Sequence, residues 1–532
     1  MGRLLFVVVL SSLINVGWAQ NQAFITWGED LKLESHQSMG EIIGADGENT
    51  FISQIDPKRN NGWPFIEKYD SALRLKDRKE LSKPNTSDPF VFEKLLFMDQ
   101  RIYLFVSQLE PKGKVSLYGV EIDKQSLGGK GDFRKVAEVN SESKSWLPLV
   151  KKRKKEELSS FDFHLSEGKN SLLITTPKNN AWQHRSSLKA WYFDANLENE
   201  WEKDIPFLAG MEVQKLSALA LDETGNAYFL LQHSTTSLSG ATHLTLCSVS
   251  PKHEGVNFLP LHIEDIYVDQ FKMVFPNPFS LSIMGMFSHK EAEENKVGIS
   301  ILQVCLLQKE LKSITLDYFP STFKLSSNTI DEAAALPASC LKIPEQVALN
   351  QVFVEEDGSM LVVGEKFSSP QQLEPELIKA MGKKRGNYVP TFYYGDILVA
   401  SYTPNGKQKW TREIAKKQVS EVDLGLYSSY SASILDGELF LIFNDHRKNH
   451  EEEDGHTFNA LMNKEEQAVT LVQLDQDANQ KRSLLYMDAN HFLIRPSQVN
   501  QTGACELLVF GQHGRRKYKW AKLDLSLASI WQ

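Results

Sequence analysis

The residue types most able to bind a metal ion or a ligand are concentrated in one charged stretch, NDHRKNHEEEDGH, which begins at Asn444. Its histidines and carboxylates are all possible ligands of a divalent cation: Asp445, His446, His450, Glu451, Asp454 and His456. The i, i+4 spacing of His446 and His450 would place both rings on one side of an ion if the segment were helical. The order differs from HExxH, and a run this charged is typical of a solvated loop. We therefore predict contact with a ligand or partner at Asp445, His446 and His450, without a bound metal.

A second group of candidate contact residues is aromatic. Four aromatic side chains follow one another closely in the sequence: Tyr388, Phe392, Tyr393 and Tyr394. Such rings can stack on a sugar or on a ligand ring, but they equally suit a strand that enters a sheet. The segment before them, SSPQQLEPELIKAMGKKRG from Ser368, has apolar residues at helical spacing and predicts a short amphipathic helix. From this group we predict Tyr388, Tyr393 and Tyr394 as contact residues.

The other charged residues give no sign of a catalytic constellation. Acidic residues occur about once per predicted turn, where a role in hairpin geometry already explains them. The one strongly basic run, Lys151 to Lys155, is followed by Glu156 and Glu157, which is typical of a solvated linker. A formal net charge of −9 over 532 residues gives no reason to expect nucleic acid as a partner. We therefore predict neither a catalytic residue nor a cofactor.

These candidates sit within a repeat of four short strands that recurs eight times. One copy reads LSALALDETGNAYFLLQ from Leu216 and HLTLCSVSPKHEGVNFLPLHI from His243, and another starts with NQVFVEEDGSMLVVGEK at Asn350. Asp-Gly, Pro and Asn clusters between the apolar runs mark hairpin turns. Repeats of four strands that bury their faces only against their neighbours are typical of a β-propeller. The sequence predicts an all-β, single-domain propeller of eight blades over residues 20–532, with seven blades and a terminal hairpin as the alternative.

The last repeat has only three recognisable strands, around Phe492, around Leu507 and at Tyr518 to Leu523. A lone strand-like segment, Phe24 to Leu33, precedes the first repeat. Propellers often complete their last blade with a strand from the other end of the chain, which also removes two exposed sheet edges. We therefore predict that Phe24 to Leu33 closes the ring.

Two repeats are longer than the others. The excess residues lie between the second and third strands of the sixth and seventh repeats, and we place the insertions at 365–394 and 444–467. The connector from Pro320 to Glu345 is also long. In a propeller the loops between strands two and three share a face with the connectors between blades. All three segments should therefore lie on one face, and loops held by a rigid scaffold are frequent ligand sites.

The amino-terminal residues 1–19 predict a signal peptide. Arg3 precedes an apolar run from Leu4 to Ile14, and the small residues Gly17 and Ala19 suit a cleavage site. The run is short for a membrane span, although a retained anchor is the alternative. There is no later apolar stretch of spanning length and no cysteine near the cut. We predict a secreted or periplasmic protein.

An exported chain can form disulfides, but none of the four cysteines lies in a CxxC or zinc-like spacing: Cys247, Cys305, Cys340 and Cys505. Cys247 and Cys305 occupy similar strands of consecutive repeats, so they should lie in neighbouring blades. We favour buried free thiols that pack as small apolar residues.

Two hairpins, SYTPNGKQKWTREI from Ser401 and YFDANLENEWEKDI from Tyr192, align Trp410 with Trp201 and Asn405 with Asn196. This turn-then-tryptophan pattern partly resembles quinoprotein-type repeats, which form eight-bladed propellers. Only two repeats keep the tryptophan, and the adjacent cysteine pair of those enzymes is missing, so a quinone cofactor is not carried over.

Three further segments, ITWGEDLKL from Ile25, YYGDILVASYTPNGKQKW from Tyr393 and LFLIFNDHRKN from Leu439, make the whole chain resemble uncharacterised exported β-propeller-like proteins of Bacteroidetes-type bacteria. That resemblance implies a fold and an exported location but no activity. A propeller fold by itself does not specify function. We predict a binding scaffold for an unknown protein or carbohydrate ligand that uses one loop-rich face. A propeller hydrolase or lyase acting on polysaccharide is the alternative.

Overall fold

The computed structural model describes residues 25–32, 38–55, 63–81, 83–84, 90–110, 114–140, 161–176, 187–207, 213–233, 242–263, 266–288, 297–320, 327–329, 342–344, 346–369, 391–421, 425–450, 459–461, 466–486, 493–503, 505–513 and 517–526. Within these ranges the chain is built from short antiparallel strands, and eight sheets of at least four strands form a ring. The protein is an eight-bladed β-propeller, as the sequence predicts, and the seven-blade alternative is wrong.

Two strands precede the first blade and belong to the last one. They are β1 (Ile25–Trp27) and β2 (Leu31–Lys32). Blades 1 and 2, each given from its first strand to its fourth, comprise β3 (Ser38–Ala45), β4 (Asn49–Ile55), β5 (Pro64–Asp70) and β6 (Leu75–Glu80), then β7 (Phe90–Met98), β8 (Arg101–Glu110), β9 (Lys114–Ile122) and β10 (Arg134–Asn140).

Blades 3 and 4 repeat the same strand order. They comprise β11 (Asp162–Leu165), β12 (Leu172–Thr175), β13 (Ser187–Phe193) and β14 (Asn199–Pro206), then β15 (Val213–Leu221), β16 (Ala227–His233), β17 (Thr242–Val249) and β18 (Val256–Ile263). Blade 5 comprises β19 (Tyr267–Asn277), β20 (Ser280–Ser288), β21 (Val297–Cys305) and β22 (Glu310–Tyr318).

A small hairpin of β23 (Ser327–Thr329) and β24 (Lys342–Pro344) lies in the connector after blade 5. Blade 6 comprises β25 (Gln346–Val354), β26 (Met360–Ser368), β27 (Phe392–Tyr402) and β28 (Gln408–Ile414), with β29 (Gln418–Ser420) added to β27. Blade 7 comprises β30 (Ser431–Leu435), β31 (Glu438–His446), β32 (Gln467–Leu474) and β33 (Gln480–Tyr486). Blade 8 contains β34 (Leu493–Ile494), β35 (Asn500–Gly503), β36 (Glu506–His513) and β37 (Lys517–Asp524).

The amino-terminal strands complete blade 8. Ile25 to Trp27 of β1 pair antiparallel with Leu523 to Ala521 of β37, and Leu31 of β2 pairs with Tyr518. Between them the Gly28 amide donates to the Trp520 carbonyl at 2.9 Å. The predicted closure is therefore confirmed over its described residues, while Phe24 and Leu33 lie outside them. Asp524 ends β37, and the fourth strand of this blade comes from the other end of the chain.

The turns between the first and second strands follow from their residue types. Gly47, Gly225, Gly358 and Gly437 all have positive φ, between +77° and +86°, which residues with a Cβ rarely adopt. The Asp46 carboxylate accepts from the Asn49 amide at 2.9 Å and so holds its turn closed. These turns lie on one face of the ring, which is called here the turn face. The strand 2–3 connections and the connectors between blades lie on the opposite face, the loop face.

The core lies between blades rather than inside any single one. Each of the eight interfaces between neighbouring blades has its own cluster of buried apolar side chains. The interface that closes the ring joins Ile52 and Tyr69 of blade 1 to Leu508, Phe510 and Trp520 of blade 8. A propeller buries its sheets only against neighbours, so the closing interface stabilises the whole ring.

The two aligned tryptophans occupy equivalent positions and share a role. Trp201 in β14 donates from its indole nitrogen to the Gly225 carbonyl at 3.4 Å, and Trp410 in β28 donates to the Gln476 carbonyl at 2.8 Å. Each acceptor belongs to a turn of the following blade. The repeat pattern therefore marks a link between consecutive blades.

The connections in blades 6 and 7 are shorter than the sequence suggests. The predicted insertion at 365–394 begins and ends inside strands, because β26 runs to Ser368 and β27 starts at Phe392. Likewise Asn444 to His446 belong to β31 and Gln467 to β32, so the second connection covers 447–466. The charge of Glu365 and of Asp445 suggests the end of a strand, yet both side chains are buried and paired.

Several predicted features lie outside the described residues: the signal peptide, the basic run at 151–155, the helix expected after Ser368, Tyr388, Cys340, and the Glu451, Asp454 and His456 side chains. Cys247, Cys305 and Cys505 are free thiols, as predicted, but only Cys247 is buried, and the other two are partly exposed. Burial raises the pKa of Cys247 to about 12. In the described ranges there is no helix of sufficient length and apolarity to span a membrane.

Candidate functional site

The loop face above blades 6 and 7 brings together the described candidate residues. Three segments meet there through their described residues: the start of β27, the segment 415–430 between blades 6 and 7 apart from 422–424, and residues 447–450, 459–461 and 466 of the connection 447–466. The first and third belong to strand 2–3 connections of adjacent blades, and the second is an interblade connector. They therefore share a face, as the spacing of the turns predicts for the two strand 2–3 connections. Segment 415–430 is not among the predicted segments. Of the connector from Pro320 to Glu345, which is, the described residues include the β23–β24 hairpin.

Tyr393 and Tyr394 lie in the first residues of β27, where that strand extends beyond its blade. They pair with Val419 and Gln418 of β29, so the backbone here is sheet rather than free loop. The Tyr394 ring lies 5.0 Å from the Phe367 ring, and the Lys416 ammonium lies 5.9 Å from its centroid. Both tyrosines are half-buried. They form a partly accessible aromatic edge at the base of the 369–391 connection.

The blade 7 connection is fastened to this same extension. The Val419 amide donates to the Leu461 carbonyl at 3.0 Å, and the Leu461 amide donates to the Lys417 carbonyl at 2.9 Å. Leu461 thus forms a parallel bridge to β29. The bases of two loops from adjacent blades are therefore joined through one backbone layer.

Asp445 is completely buried at the end of β31. Its Oδ1 accepts from the His446 amide and from the Asn449 side chain, both at 2.8 Å. Its Oδ2 accepts from Arg482 of β33 and from the Thr470 hydroxyl at 3.4 Å. These bonds hold the short 3-10 helix Arg447–His450 over blade 7. Asp445 thus positions the loop, and its carboxylate is shielded from any ligand in this conformation.

His450 extends the network. Its Nε2 lies 2.7 Å from the Thr470 hydroxyl and 3.8 Å from the Asp445 carboxylate. Since Thr470 donates to Asp445, the Thr470 oxygen accepts from the Nε2–H of His450. Burial lowers the pKa of His450, and Arg482 lowers it further, although Asp445 acts in the opposite direction. His450 is therefore neutral at pH 7.

His446 makes hydrogen bonds to partners other than those of His450. Its Nε2 lies 3.0 Å from the Glu466 carboxylate, and its Nδ1 accepts from the Lys448 amide at 3.2 Å. The bond to Glu466 joins the beginning of the 447–466 connection to its end. His446 and His450 therefore have separate partners. Among the residues that the structure describes, no three histidines, cysteines or carboxylates are grouped as a metal site.

A buried ion pair at the same place is not apparent from the sequence. The ammonium of Lys416, a fully buried side chain, lies 2.7 Å from Glu365 Oε1 in β26. The Ser429 hydroxyl donates to Glu365 Oε2 at 2.7 Å, and Lys416 also donates to Gln418 at 3.1 Å. The signal that could have found the pair is a carboxylate that directly follows an apolar run inside a strand, Glu365 in MLVVGEKFS. Such a residue is almost never buried without a partner.

Gln418 and Asn444 complete the network between blades 6, 7 and 8. Gln418 donates to the Asn444 carbonyl at 2.6 Å, while Asn444 donates to the carbonyls of Tyr427 at 2.7 Å and Ile494 at 2.8 Å. The connector 415–430 is thus tied to β31 and to the first strand of blade 8. The result is a rigid polar base beneath the loops.

The turn face of the same two blades carries a separate cleft of 690 Å³. Five acidic residues line it, together with Lys409 and Trp410: Glu355, Glu356, Asp357, Asp436 and Asp475. Burial raises the pKa of Glu355, and Asp357 raises it further. Hydrogen bonds from Ser359 lower the pKa of Asp357. Acidic residues that the sequence scatters over separate turns therefore converge in one cleft.

No protein-family model matches the sequence, and no curated protein matches it. Among solved structures, a polysaccharide lyase is 8% identical, with 94% of this chain and 100% of that chain covered and a TM-score of 0.37. The periplasmic gluconolactonase of Pseudomonas aeruginosa is 11% identical, with 86% and 95% covered and a TM-score of 0.33. The endo-arabinase of Bacteroides thetaiotaomicron is 10% identical, with 62% and 94% covered and a TM-score of 0.26. At these values the similarity carries no argument about function.

Proposed function

We propose that this protein is an exported binding scaffold whose contact surface is the loop face above blades 6 and 7. One observation carries the proposal: the bases of these loops are anchored by buried charges, the Glu365–Lys416 and Asp445–Arg482 pairs. A buried ion pair is weak evidence for stability, since desolvation can exceed the attraction. Its use here is to hold chain segments in one arrangement.

The anchored ends of these loops also determine which side chains a ligand would contact. Tyr393 and Tyr394 present a half-buried aromatic edge beside the 369–391 connection, and His446 and Glu466 lie at the root of the 447–466 connection. Aromatic rings beside polar groups suit a carbohydrate or a polar protein segment. A preorganised surface of this kind lowers the entropic cost of binding.

The test is loop replacement followed by binding measurements. We would replace 370–390 and 451–458 with short Gly-Ser linkers, which leaves all strands and the contacts of Asn449 and Leu461 in place. Affinity gel electrophoresis on arabinan, xylan, pectin and mannan, together with capture from envelope extracts, supplies the ligand. The matched control replaces 234–241, the strand 2–3 connection of blade 4 on the same face.

Loss of binding in the blade 6–7 variant but not in the blade 4 variant would support the proposal, provided that both keep the thermal midpoint of the parent. Undiminished binding in the blade 6–7 variant would show that its loops are decoration. Export has its own test: amino-terminal sequencing of the protein recovered outside the cytoplasm should begin near Gln20.

A second candidate is a polysaccharide hydrolase or lyase that uses the turn-face cleft. The observation that favours it is that the pKa of Glu355 is raised while the pKa of Asp357 is lowered. An acid and a base with separated pKa values suit glycosidic bond cleavage. The assay would follow reducing ends and unsaturated products from the same four polysaccharides. Glu355→Gln should abolish the activity, whereas Asp477→Asn, at an exposed carboxylate that does not line the cleft, should leave it unchanged. Inactivity on every substrate would leave the binding scaffold as the better account.

A further inference from the structure

Blade 5 exposes more large apolar side chains than any other described blade. Of the six such side chains in the described residues, five belong to blade 5: Phe279, Leu307, Ile314, Leu316 and Tyr318. Three of them lie on β22, the outermost strand, with exposed fractions of 40%, 37% and 43%. Concentrated exposed apolar surface marks an interaction site rather than ordinary solvent exposure.

The three side chains form one stripe. Ile314, Leu316 and Tyr318 pair with Leu302, Ser300 and Gly298 of β21, so they project on the same side of the sheet. The Tyr318 ring packs edge-on against Phe287 at 5.1 Å, and Phe287 belongs to the core between blades 4 and 5. The stripe is therefore the outer continuation of that core.

The backbone of the same residues is directed away from the sheet. The Phe319 amide donates to the Val297 carbonyl at 3.0 Å, which makes that pair hydrogen-bonded. In an antiparallel ladder bonded and non-bonded pairs alternate, so Ile314, Leu316 and Tyr318 have their amides and carbonyls on the outer edge. Within the described part of the chain, β22 pairs only with β21.

Other outer strands have features that discourage edge pairing. In β6, LKDRKE, five of the six residues are charged. The strand β14 carries four charged residues and ends at Pro206, and β18 has Pro260 within it. Charges and prolines are the usual means of blocking an edge. The strand β22 carries three charged residues, Glu310, Lys312 and Asp317, but its central run Ser313 to Leu316 contains neither a charge nor a proline.

We propose that β22 pairs antiparallel with β22 of a second copy of this chain and so joins two propellers edge to edge. An antiparallel pair of identical strands has two-fold symmetry, which is the usual symmetry of a homodimer. With Leu316 at the axis, Ile314 of one copy faces Tyr318 of the other, and the two apolar stripes become continuous. In that register Lys312 faces Pro320 and Asp317 faces Thr315, so no like charges are opposed.

The test measures the oligomeric state of the mature chain by sedimentation equilibrium and hydrogen exchange of the 310–319 peptide. We expect a dimer, with exchange of that peptide slowing as protein concentration rises. Leu316→Lys should abolish the dimer at concentrations where the parent dimerises and should remove the concentration dependence of exchange. The control is Leu307→Lys on the turn face of the same blade, which should leave the dimer intact.

Three results would overturn the proposal. The parent could remain a monomer throughout the concentration range. It could instead form a dimer that Leu316→Lys and Leu307→Lys weaken equally, which would show general apolar association. Slow exchange of 310–319 in a monomer, independent of concentration, would show that another segment of the same chain covers the edge.

Discussion

Removal of the amino-terminal strands should destabilise the whole ring, because β1 and β2 supply the outer strand of blade 8. The perturbation is a chain that starts at Glu34 and is compared with one that starts at Gln20. The shortened chain loses the contacts of three half-buried apolar side chains. Ile25 and Trp27 pack on the core between blades 7 and 8, and Leu31 packs on the closing interface. At about 1 kcal/mol for each half-buried side chain, the loss is about 3 kcal/mol.

The ladder hydrogen bonds add little to that figure, since their net stabilisation of about 1 kcal/mol each is offset by the entropy of ordering those residues. An unfolding entropy of about 2 cal/mol/K per residue, over roughly 500 residues, converts 3 kcal/mol into a fall of about 3 °C in the melting midpoint. The exposed edge of β37 should also cause concentration-dependent association.

Calorimetry, urea denaturation and light scattering on the two chains provide the assay, with Lys32→Ala as the control because that side chain is exposed. A synthetic peptide of residues 20–33, added to the shortened chain, should restore the midpoint. An unchanged midpoint and a monodisperse shortened chain would refute the reasoning that closure depends on these strands.

Three further predictions concern single side chains. Lys416→Met should lower the free energy of unfolding, measured by urea denaturation, by about 3–5 kcal/mol. The reason is that it leaves the Glu365 carboxylate buried without its counter-ion. The double variant with Glu365→Gln should be more stable than the single one, and equal instability would contradict the pairing. His450 has a lowered pKa when folded, so the unfolded chain takes up its proton first and stability should fall as pH drops below about 6.5. His450→Gln should flatten that slope, and an identical slope would show that other groups cause it. Tyr518→Phe removes the hydroxyl that accepts from Gln54 across the closing interface at 2.9 Å. The free energy of unfolding, measured by urea denaturation, should fall by about 1 kcal/mol. No change would mean that water replaces the bond.

The fold could be predicted because it depends on local signals that repeat. Turns such as Asp46-Gly47 and Asp436-Gly437 stand where β3–β4 and β30–β31 reverse, and their glycines have the positive φ that the turn requires. The closing strand could be predicted because a three-stranded last repeat leaves an edge to be covered. Strand ends were less predictable, since a charge usually marks a loop, whereas Glu365 lies inside β26 with a partner fifty-one positions away along the chain.

The candidate site could be predicted only in part from the sequence. The spacing of the loops predicts that Tyr394 and His450 share a face, and the described residues of both connections do. It could not predict that Asp445 is buried, because its partner Arg482 comes from β33 and its role depends on the packing of the 3-10 helix. The carboxylates of the turn-face cleft converge only through the neighbouring placement of blades 6 and 7, which no spacing within one repeat reveals.

Hydrogen exchange with and without the bound ligand is the most direct test of where this protein makes contact. The ligand is the polysaccharide or protein that the affinity measurements identify. If the loop face of blades 6 and 7 is the contact surface, protection on binding should be confined to peptides covering 391–396, 415–430 and 446–466. Protection at 354–361, 434–439 and 474–478, with none on the loop face, would place the ligand in the turn-face cleft and contradict the account.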